Sequence, residues 1–155
     1  MSKSSLADFI SSFKDAHSSK IESIDIFEEK RAKIVANKDH YIEVAEVLKD
    51  EYGFIIPIAG GAADFPEENR MEMYYYLDNP DSDFIVLYCI HVDREKPVLP
   101  TMTTVWGAMS FHERETHEMF GIDFDGHDNL VTLLLPPNWG GGYPLRKDFK
   151  GEGVE

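Results

Sequence analysis

Three strand-like runs in the middle of the chain constrain its fold most. The runs are FIIPIAG, RMEMYYYLD and DFIVLYCIHV, which begin at Phe54, Arg70 and Asp83. They are rich in β-branched and aromatic residues and are separated by turn-forming stretches such as DNPDSD, a pattern typical of consecutive antiparallel strands. Together with shorter alternating runs around Ile24 and Ile34, they predict a β meander of about four strands.

Helical periodicity flanks these strands. Two segments have apolar residues at helical spacing and are followed by glycine, the residue type that most often ends a helix. The first runs from a cap at Asn37 or Asp39 to about Tyr52, and the second from about Thr104 to Phe120. In the first of these helices we expect four residues to face inward: Tyr41, Val44, Ala45 and Leu48. A short amphipathic helix is predicted near the N-terminus from Leu6, Phe9, Ile10 and Phe13. The predicted fold class is therefore α+β, an antiparallel meander packed with two to three helices and followed by an extended C-terminal tail.

The charge balance limits the partners that this chain can have. Acidic residues number 29 against 15 basic ones, a net charge of −14. Because nucleic acids and anionic lipids bind basic surfaces, this balance disfavours both and favours a basic protein or subunit as the partner. The single cysteine, Cys89, lies in an apolar run and is expected to be a buried, inert thiol. One cysteine excludes an internal disulfide and a cysteine-ligated iron–sulfur cluster made by this chain alone.

The stretch HERETHEMFGIDFDGH, from His112 to His127, contains the candidate metal ligands. His112 and His117 are five residues apart, which is roughly 140° around a helix, so they cannot chelate one ion as the histidines of zinc proteases do. Glu113 and His117 are four apart and can meet. A metal-dependent enzyme using His112, Glu113 and His117, with His127 as a further ligand, therefore stays an alternative.

Glu113 is the most informative residue of this stretch. On a helical wheel it shares the apolar face with Trp106, Met109, Thr116 and Phe120. Arg114 projects roughly 100° away from Glu113, toward Phe111 and Glu118, so it also borders apolar surface. Since a buried charge costs several kcal/mol unless it is paired or hydrogen-bonded, Glu113 requires partners. We interpret Glu113 and Arg114 as part of a structural network or of a contact with another subunit. No nucleophile or phosphate-binding loop accompanies them to support acid–base catalysis.

Four motifs follow one another between Glu113 and Phe149: Glu-Arg-Glu, Met-Phe-Gly-Ile, Gly-His and Tyr-Pro-Leu-Arg-Lys-Asp-Phe. In order and spacing this region resembles the 30-kilodalton subunit family of respiratory complex I, the NADH dehydrogenase of respiratory chains. That family includes related subunits of energy-converting membrane-bound hydrogenases and archaeal complex I-like enzymes. Asp128, Val131 and Thr132 depart from the common pattern, which leaves the branch of the family open.

The resemblance implies a non-catalytic, hydrophilic subunit of the peripheral arm of such a membrane oxidoreductase. It implies no cofactor in this chain and two partners, a large nickel–iron hydrogenase-like subunit and a small iron–sulfur subunit. Iron–sulfur clusters, with nickel–iron or quinone, would lie in those partners, and electron transfer would be coupled to ion translocation. The expected location is the cytoplasmic side of the cell membrane, with membrane contact only through partner subunits.

The resemblance also divides the chain and assigns its site. Residues 1–30 would be an N-terminal helix and lineage-specific segment, 31–138 the α+β domain, and 139–155 an extended docking tail. Within that tail, residues 143–149, here called the tail motif, would dock on the large subunit. Structural or interface roles are implied for Glu113, Arg114, Glu115, Met119, Phe120, Gly121, Ile122, Gly126, His127, Tyr143, Pro144, Leu145, Arg146, Lys147, Asp148 and Phe149.

Overall fold

The computed structural model describes residues 5–151, and within that range the chain forms three α-helices and seven strands. Four short 3-10 turns lie between these elements. The elements run in the order α1 (Leu6–His17), β1 (Ile21–Glu28), β2 (Arg31–Ala36), α2 (Tyr41–Asp50), β3 (Ile56–Phe65), β4 (Arg70–Asp78), β5 (Ile85–Asp93), β6 (Val98–Pro100), α3 (Met109–Phe120) and β7 (Asp123–Asp125).

Five strands form the main sheet in the order β1-β2-β5-β4-β3. β1 and β2 are an antiparallel hairpin in which Ile24 lies opposite Ile34. β2 pairs in parallel with β5, and Ile34 lies opposite Tyr88 there. The predicted α+β class with a predominantly antiparallel sheet is confirmed. The sequence did not predict the parallel pairing, because residue patterns identify strands but carry little information on which strands become neighbours.

The third helix is shorter than predicted. It begins at Met109 rather than near residue 104, because Met102–Thr104 form a 3-10 turn in which the Thr101 hydroxyl accepts a hydrogen bond from the Thr103 N–H. Gly107, a poor helix former, lies in the turn that follows. Trp106 is therefore buried but lies outside α3, contrary to its place on the predicted helix face. The predicted end at Gly121 is confirmed.

The chain divides into two compact units, Met1–Gly60 with Tyr74–His91, and Gly61–Met73 with Val92–Glu155. In the first unit, three buried tyrosines link α2 to β4 and β5. The Tyr41 hydroxyl donates to the Tyr75 hydroxyl over 2.6 Å, and the Tyr88 hydroxyl donates to the Tyr41 carbonyl. All four inward residues predicted for α2 are buried, as is Cys89. The predicted boundaries after residues 30 and 138 stay a prediction.

In the second unit, β6 and β7 form a short parallel pair in which Leu99 lies opposite Phe124. Both side chains are buried, as are Met102 and Ile122 next to them. Helix α3 buries Met109 and Phe120, but it also buries the two carboxylates of Glu113 and Glu118. Buried carboxylates need hydrogen-bond donors, so their partners define the arrangement around α3.

Candidate functional site

Glu113 is fully buried, with 0% of its surface exposed. Its carboxylate accepts hydrogen bonds from the Thr101 hydroxyl at 2.6 Å and from the Met102 N–H at 2.5 Å. Burial raises the pKa of Glu113 above its usual value, and these two hydrogen bonds only partly oppose that rise. The partners that its apolar helix face requires are thus provided within the chain, and the carboxylate joins α3 to the turn after β6.

The His127 side chain lies next to that of Glu113. Its Nδ1 accepts a hydrogen bond from the Asn129 N–H at 3.0 Å, so the proton of the neutral ring lies on Nε2, which donates to the Ser110 carbonyl at 3.1 Å. Nε2 also lies 3.9 Å from a Glu113 carboxylate oxygen. Gly126, just before His127, has a positive φ of 85°. Sequence spacing could not place His127 relative to Glu113, and the structure brings them together.

The three residues of the metal-enzyme alternative do not converge. His117 directs Nδ1 to the Ile122 carbonyl at 2.9 Å and to the Asp123 carboxylate at 3.1 Å, whereas Glu113 is directed to Thr101 and Met102. Among residues 5–151, no group of three or more His, Cys, Asp or Glu side chains is placed to hold a metal ion. The geometry therefore does not support a metal site at His112, Glu113 and His117.

Arg114 and Glu118 hold a segment without regular secondary structure, residues 131–135, which we call the leucine loop. The Arg114 guanidinium donates to the carbonyls of Val131 and Thr132 at 3.1 and 3.0 Å. The Glu118 carboxylate accepts hydrogen bonds from the N–H groups of Leu133, Leu134 and Leu135 at 2.9, 2.7 and 3.3 Å. Two side chains one helical turn apart thus fix the main chain of the loop.

Glu118 was not among the predicted site residues. Burial raises the pKa of Glu118, but its three N–H donors outweigh burial and hold the pKa below the usual value. The carboxylate is therefore ionised at neutral pH and suited to bind main-chain donors. The sequence indicates only that Glu118 lies on the predicted helix, and that position does not identify a loop as its partner.

The tail motif folds back onto the end of α3. The Leu145 N–H donates to the Met119 carbonyl at 3.0 Å, and the Arg146 Nε donates to the Phe120 carbonyl at 2.6 Å. These carbonyls lack partners inside the helix, because the last turn of any helix leaves its acceptors free. The Arg146 guanidinium also lies 4.7 Å from the centre of the Tyr143 ring. The tail motif caps the helix instead of extending freely.

A second anchor holds the other end of the tail motif. Asp64 is only 3% exposed, and its carboxylate accepts hydrogen bonds from Arg94 Nε at 2.7 Å and from Arg94 Nη2 at 3.1 Å. The Asp64 carboxylate also accepts a hydrogen bond from the Lys147 N–H at 2.9 Å, and Arg94 forms an ion pair with the Asp148 carboxylate at 3.1 Å. The hydrogen bonds from Arg94 hold the pKa of Asp64 below its usual value. Neither Asp64 nor Arg94 was among the predicted site residues.

The remaining predicted site residues differ in how exposed their side chains are. Phe120 and Ile122 are buried, whereas Met119, Pro144 and Phe149 are half-buried. The exposed members are Glu115, Tyr143, Leu145, Lys147 and Asp148. Their interface roles stay a prediction, but the structure places the tail motif and α3 in direct contact.

Gly121 is required at the point where α3 meets the tail motif. Its φ is +80°, and a Cβ there would lie 2.7 Å from two ring atoms of Tyr143 and 2.9 Å from Arg146 Nη2. We expect Gly121→Ala to lower the free energy of unfolding by about 1–2 kcal/mol from backbone strain, with a further loss from this contact. Urea denaturation measures the change. Gly107→Ala is the control, because nothing lies within 4 Å of a Cβ there; equal losses in the two variants would contradict the steric explanation.

Comparison with known proteins identifies the family. The family model described as respiratory-chain NADH dehydrogenase, 30 Kd subunit, matches residues 34–155. The chain belongs to this family, so the resemblance noted in the sequence is confirmed. It is 33% identical over 117 residues to an NADH-quinone oxidoreductase subunit of Moorella thermoacetica, covering 76% of this chain and 78% of that protein. It is 31% identical over 121 residues to an F420H2 dehydrogenase subunit of Methanosarcina mazei, covering 78% and 77%.

Solved structures support the same fold. A chain of the membrane-bound sulfane sulfur reductase, an archaeal respiratory membrane complex, superposes with a TM-score of 0.81 at 22% identity, covering 93% of this chain and 85% of that one. The trypsin-resistant fragment of Nqo5 superposes with a TM-score of 0.65 at 26% identity, covering 77% and 97%.

None of the helices within residues 5–151 has the length and apolarity needed to cross a membrane.

Proposed function

We propose that the chain is a non-catalytic, hydrophilic subunit in the peripheral arm of a complex I-like or energy-converting hydrogenase-type membrane oxidoreductase. It docks on the large, nickel–iron hydrogenase-like subunit and supports electron transfer coupled to ion translocation. The observation that carries this proposal is the tail motif, which two anchors hold against α3 and Asp64 while Tyr143 and Leu145 remain exposed. An ordered segment with exposed apolar side chains is suited to bind a partner, because little further ordering is needed on binding.

The same proposal assigns the cofactors and the location. The small iron–sulfur subunit is the second partner, and iron–sulfur clusters with nickel–iron or quinone belong to partner chains. Cys89, the single cysteine, is buried within β5, where it cannot ligate a shared cluster. The protein lies on the cytoplasmic side of the cell membrane and contacts it through partner subunits. Its relatives named above are subunits of NADH-quinone oxidoreductase and F420H2 dehydrogenase, which supports this assignment.

Deletion of residues 143–149 tests the docking role. We expect the shortened chain to be lost from the complex, with at least a tenfold fall in the amount of large subunit recovered with it. The physical reason is that deletion removes the exposed side chains of Tyr143 and Leu145 together with the positive charge of Lys147. The measurement is quantitative mass spectrometry of the complex purified through a tag on this chain.

Two controls accompany the deletion. Circular dichroism should show that the shortened chain keeps its helices and strands, because neither the five-stranded sheet nor α3 includes these residues. Replacement of Glu95, an exposed residue after β5, with alanine should leave the recovery unchanged. Full recovery of the large subunit with the deleted chain would contradict the docking role of the tail motif.

A further inference from the structure

The leucine loop exposes aliphatic side chains that the fold of this chain does not use. Leu134 is 62% exposed and Val131 is 52% exposed, and Leu133 is exposed as well. Phe111 on α3, also exposed, lies beside Arg114, whose guanidinium is 5.8 Å from the ring centre. Contiguous apolar side chains on a surface usually mark an interaction site. All of these residues belong to the second unit.

The hydrogen bonds to this loop fix its main chain and leave its side chains outside. Arg114 and Glu118 together make five hydrogen bonds, all to carbonyl or N–H groups of residues 131–135. None of them buries Leu133 or Leu134. Because the loop is already ordered, a partner that covers these side chains gains apolar burial without first restricting a mobile segment.

The charge of this region differs from that of the rest of the chain. Residues 129–147 contain no Asp or Glu, although the whole chain has 29. Arg114 donates directly to the loop, and Arg146 and Lys147 follow it in the chain, within the tail motif. An apolar surface with a cation beside it and no acidic residue of its own is complementary to an apolar patch that is rimmed by carboxylates. A second copy of this chain is disfavoured as the partner, because two chains that each carry a net charge of −14 repel one another overall.

The loop and the tail motif are held by one stretch of α3. Arg114 and Glu118 hold the loop through their side chains, and the carbonyls of Met119 and Phe120 hold the tail motif. A partner that binds the tail motif therefore meets the same helix end that carries the loop. This continuity favours one partner for both segments over two separate ones.

We propose that the leucine loop is a second docking contact with the large subunit, in which Leu133 and Leu134 pack against an apolar patch rimmed by carboxylates. The proposal rests on the function proposed above and extends its interface to residues for which no role had been predicted. Arg114 and Glu118 act as positioning residues, since they shape the loop without themselves providing its apolar contact.

Replacement of Leu134 with aspartate tests the loop directly. The tagged variant is expressed in place of the native chain, and the amount of large subunit recovered per tagged chain is measured. We expect at least a tenfold fall, because a carboxylate would be buried against apolar and acidic groups of the partner. Thermal melting of the isolated variant should be unchanged, since the side chain is exposed. Ile26→Asp is the control, because Ile26 is 61% exposed in the other unit.

Glu118→Ala provides an independent variant in which every leucine is kept. Amide hydrogen exchange at Leu133, Leu134 and Leu135 should accelerate, because their common acceptor is lost. Recovery of the large subunit should fall several-fold, because the loop must then be ordered on binding. Accelerated exchange with unchanged recovery would remove Glu118 as a positioning residue and count against the loop as a contact.

The outcomes separate this proposal from the broader one. Full recovery of the large subunit with Leu134→Asp overturns the loop contact but does not affect the docking role of the tail motif, whereas failure of the unaltered chain to recover any large subunit overturns the proposed function itself.

The isolated chain is also tested for dimers and for binding to phosphatidylglycerol vesicles. A dimer or a vesicle complex that Leu134→Asp abolishes would assign the loop to a second copy or to lipid, and would overturn the proposal.

Discussion

Asp64→Ala is expected to lower the free energy of unfolding by about 3 kcal/mol and to release the end of the tail motif. Removal of the carboxylate leaves the largely buried Arg94 guanidinium without its bidentate partner, and breaking a buried ion pair typically costs about 3–5 kcal/mol. The Lys147 N–H loses its acceptor as well. Urea denaturation measures the stability, and amide exchange at Lys147 reports the release.

Glu68→Ala is the matched control. Glu68 pairs with Arg70 at 2.6 Å in the same unit, but its side chain is 57% exposed, so its loss should cost less than about 1 kcal/mol. A similar loss in both variants would show that Asp64 contributes no more than a surface pair. It would also remove the second anchor of the tail motif.

The Asp64 contribution should depend on pH in a defined direction. Arg94 holds the folded-state pKa of Asp64 below the unfolded-state value, so the folded protein binds this proton less readily. The stabilisation is then complete above the unfolded-state pKa and declines as the pH falls through the folded-state pKa. The difference in stability between the unaltered chain and Asp64→Ala should therefore shrink in acid.

Glu113→Leu is expected to cost about 2–5 kcal/mol of unfolding free energy. The change leaves the Met102 N–H without its acceptor inside the second unit, and an unsatisfied buried group costs about 1–3 kcal/mol. The Thr101 hydroxyl also loses its bond to the carboxylate and keeps only the Thr103 hydroxyl at 2.8 Å. Leucine recovers part of the loss through apolar packing. Chemical denaturation monitored by the fluorescence of buried Trp106 measures the difference.

Glu113→Gln is the informative companion because it keeps an acceptor oxygen but cannot ionise. Burial raises the folded-state pKa of Glu113, so the folded protein holds this proton more tightly than the unfolded chain. The unaltered chain should therefore lose stability relative to Glu113→Gln as the pH rises from the unfolded-state pKa through the folded-state pKa. A stability difference that stays constant over this range would contradict an effect of burial on the Glu113 carboxyl.

Local features of the site were predictable from sequence. The helical wheel placed Glu113 among apolar residues, and burial of this carboxylate follows from that position. Gly121 was identified as the end of α3 because a left-handed residue commonly ends a helix. These features depend on neighbours within a few residues, where helical geometry fixes distances.

The partners of these residues were not predictable. Asp64 meets Arg94 and Lys147, which are 30 and 83 residues away in the chain, and helical or strand periodicity does not fix distances over such separations. Arg114 and Glu118 are four residues apart with opposite charges, a spacing that predicts an ion pair on the helix surface. Each side chain instead binds main-chain groups of the leucine loop, and no residue pattern specifies a main-chain partner.

The parallel contact between β2 and β5 has a consequence for the order of folding. The β1–β2 hairpin can close as soon as its own residues are available, but β5 reaches β2 only after α2, β3 and β4 have been traversed. Closing so long a loop costs entropy before its contacts form, so this pairing is expected to be a late, slow event. Until then β2 exposes an unpaired edge, a site prone to mispairing with other chains. During synthesis, therefore, aggregation is most to be expected in the interval before β5 arrives.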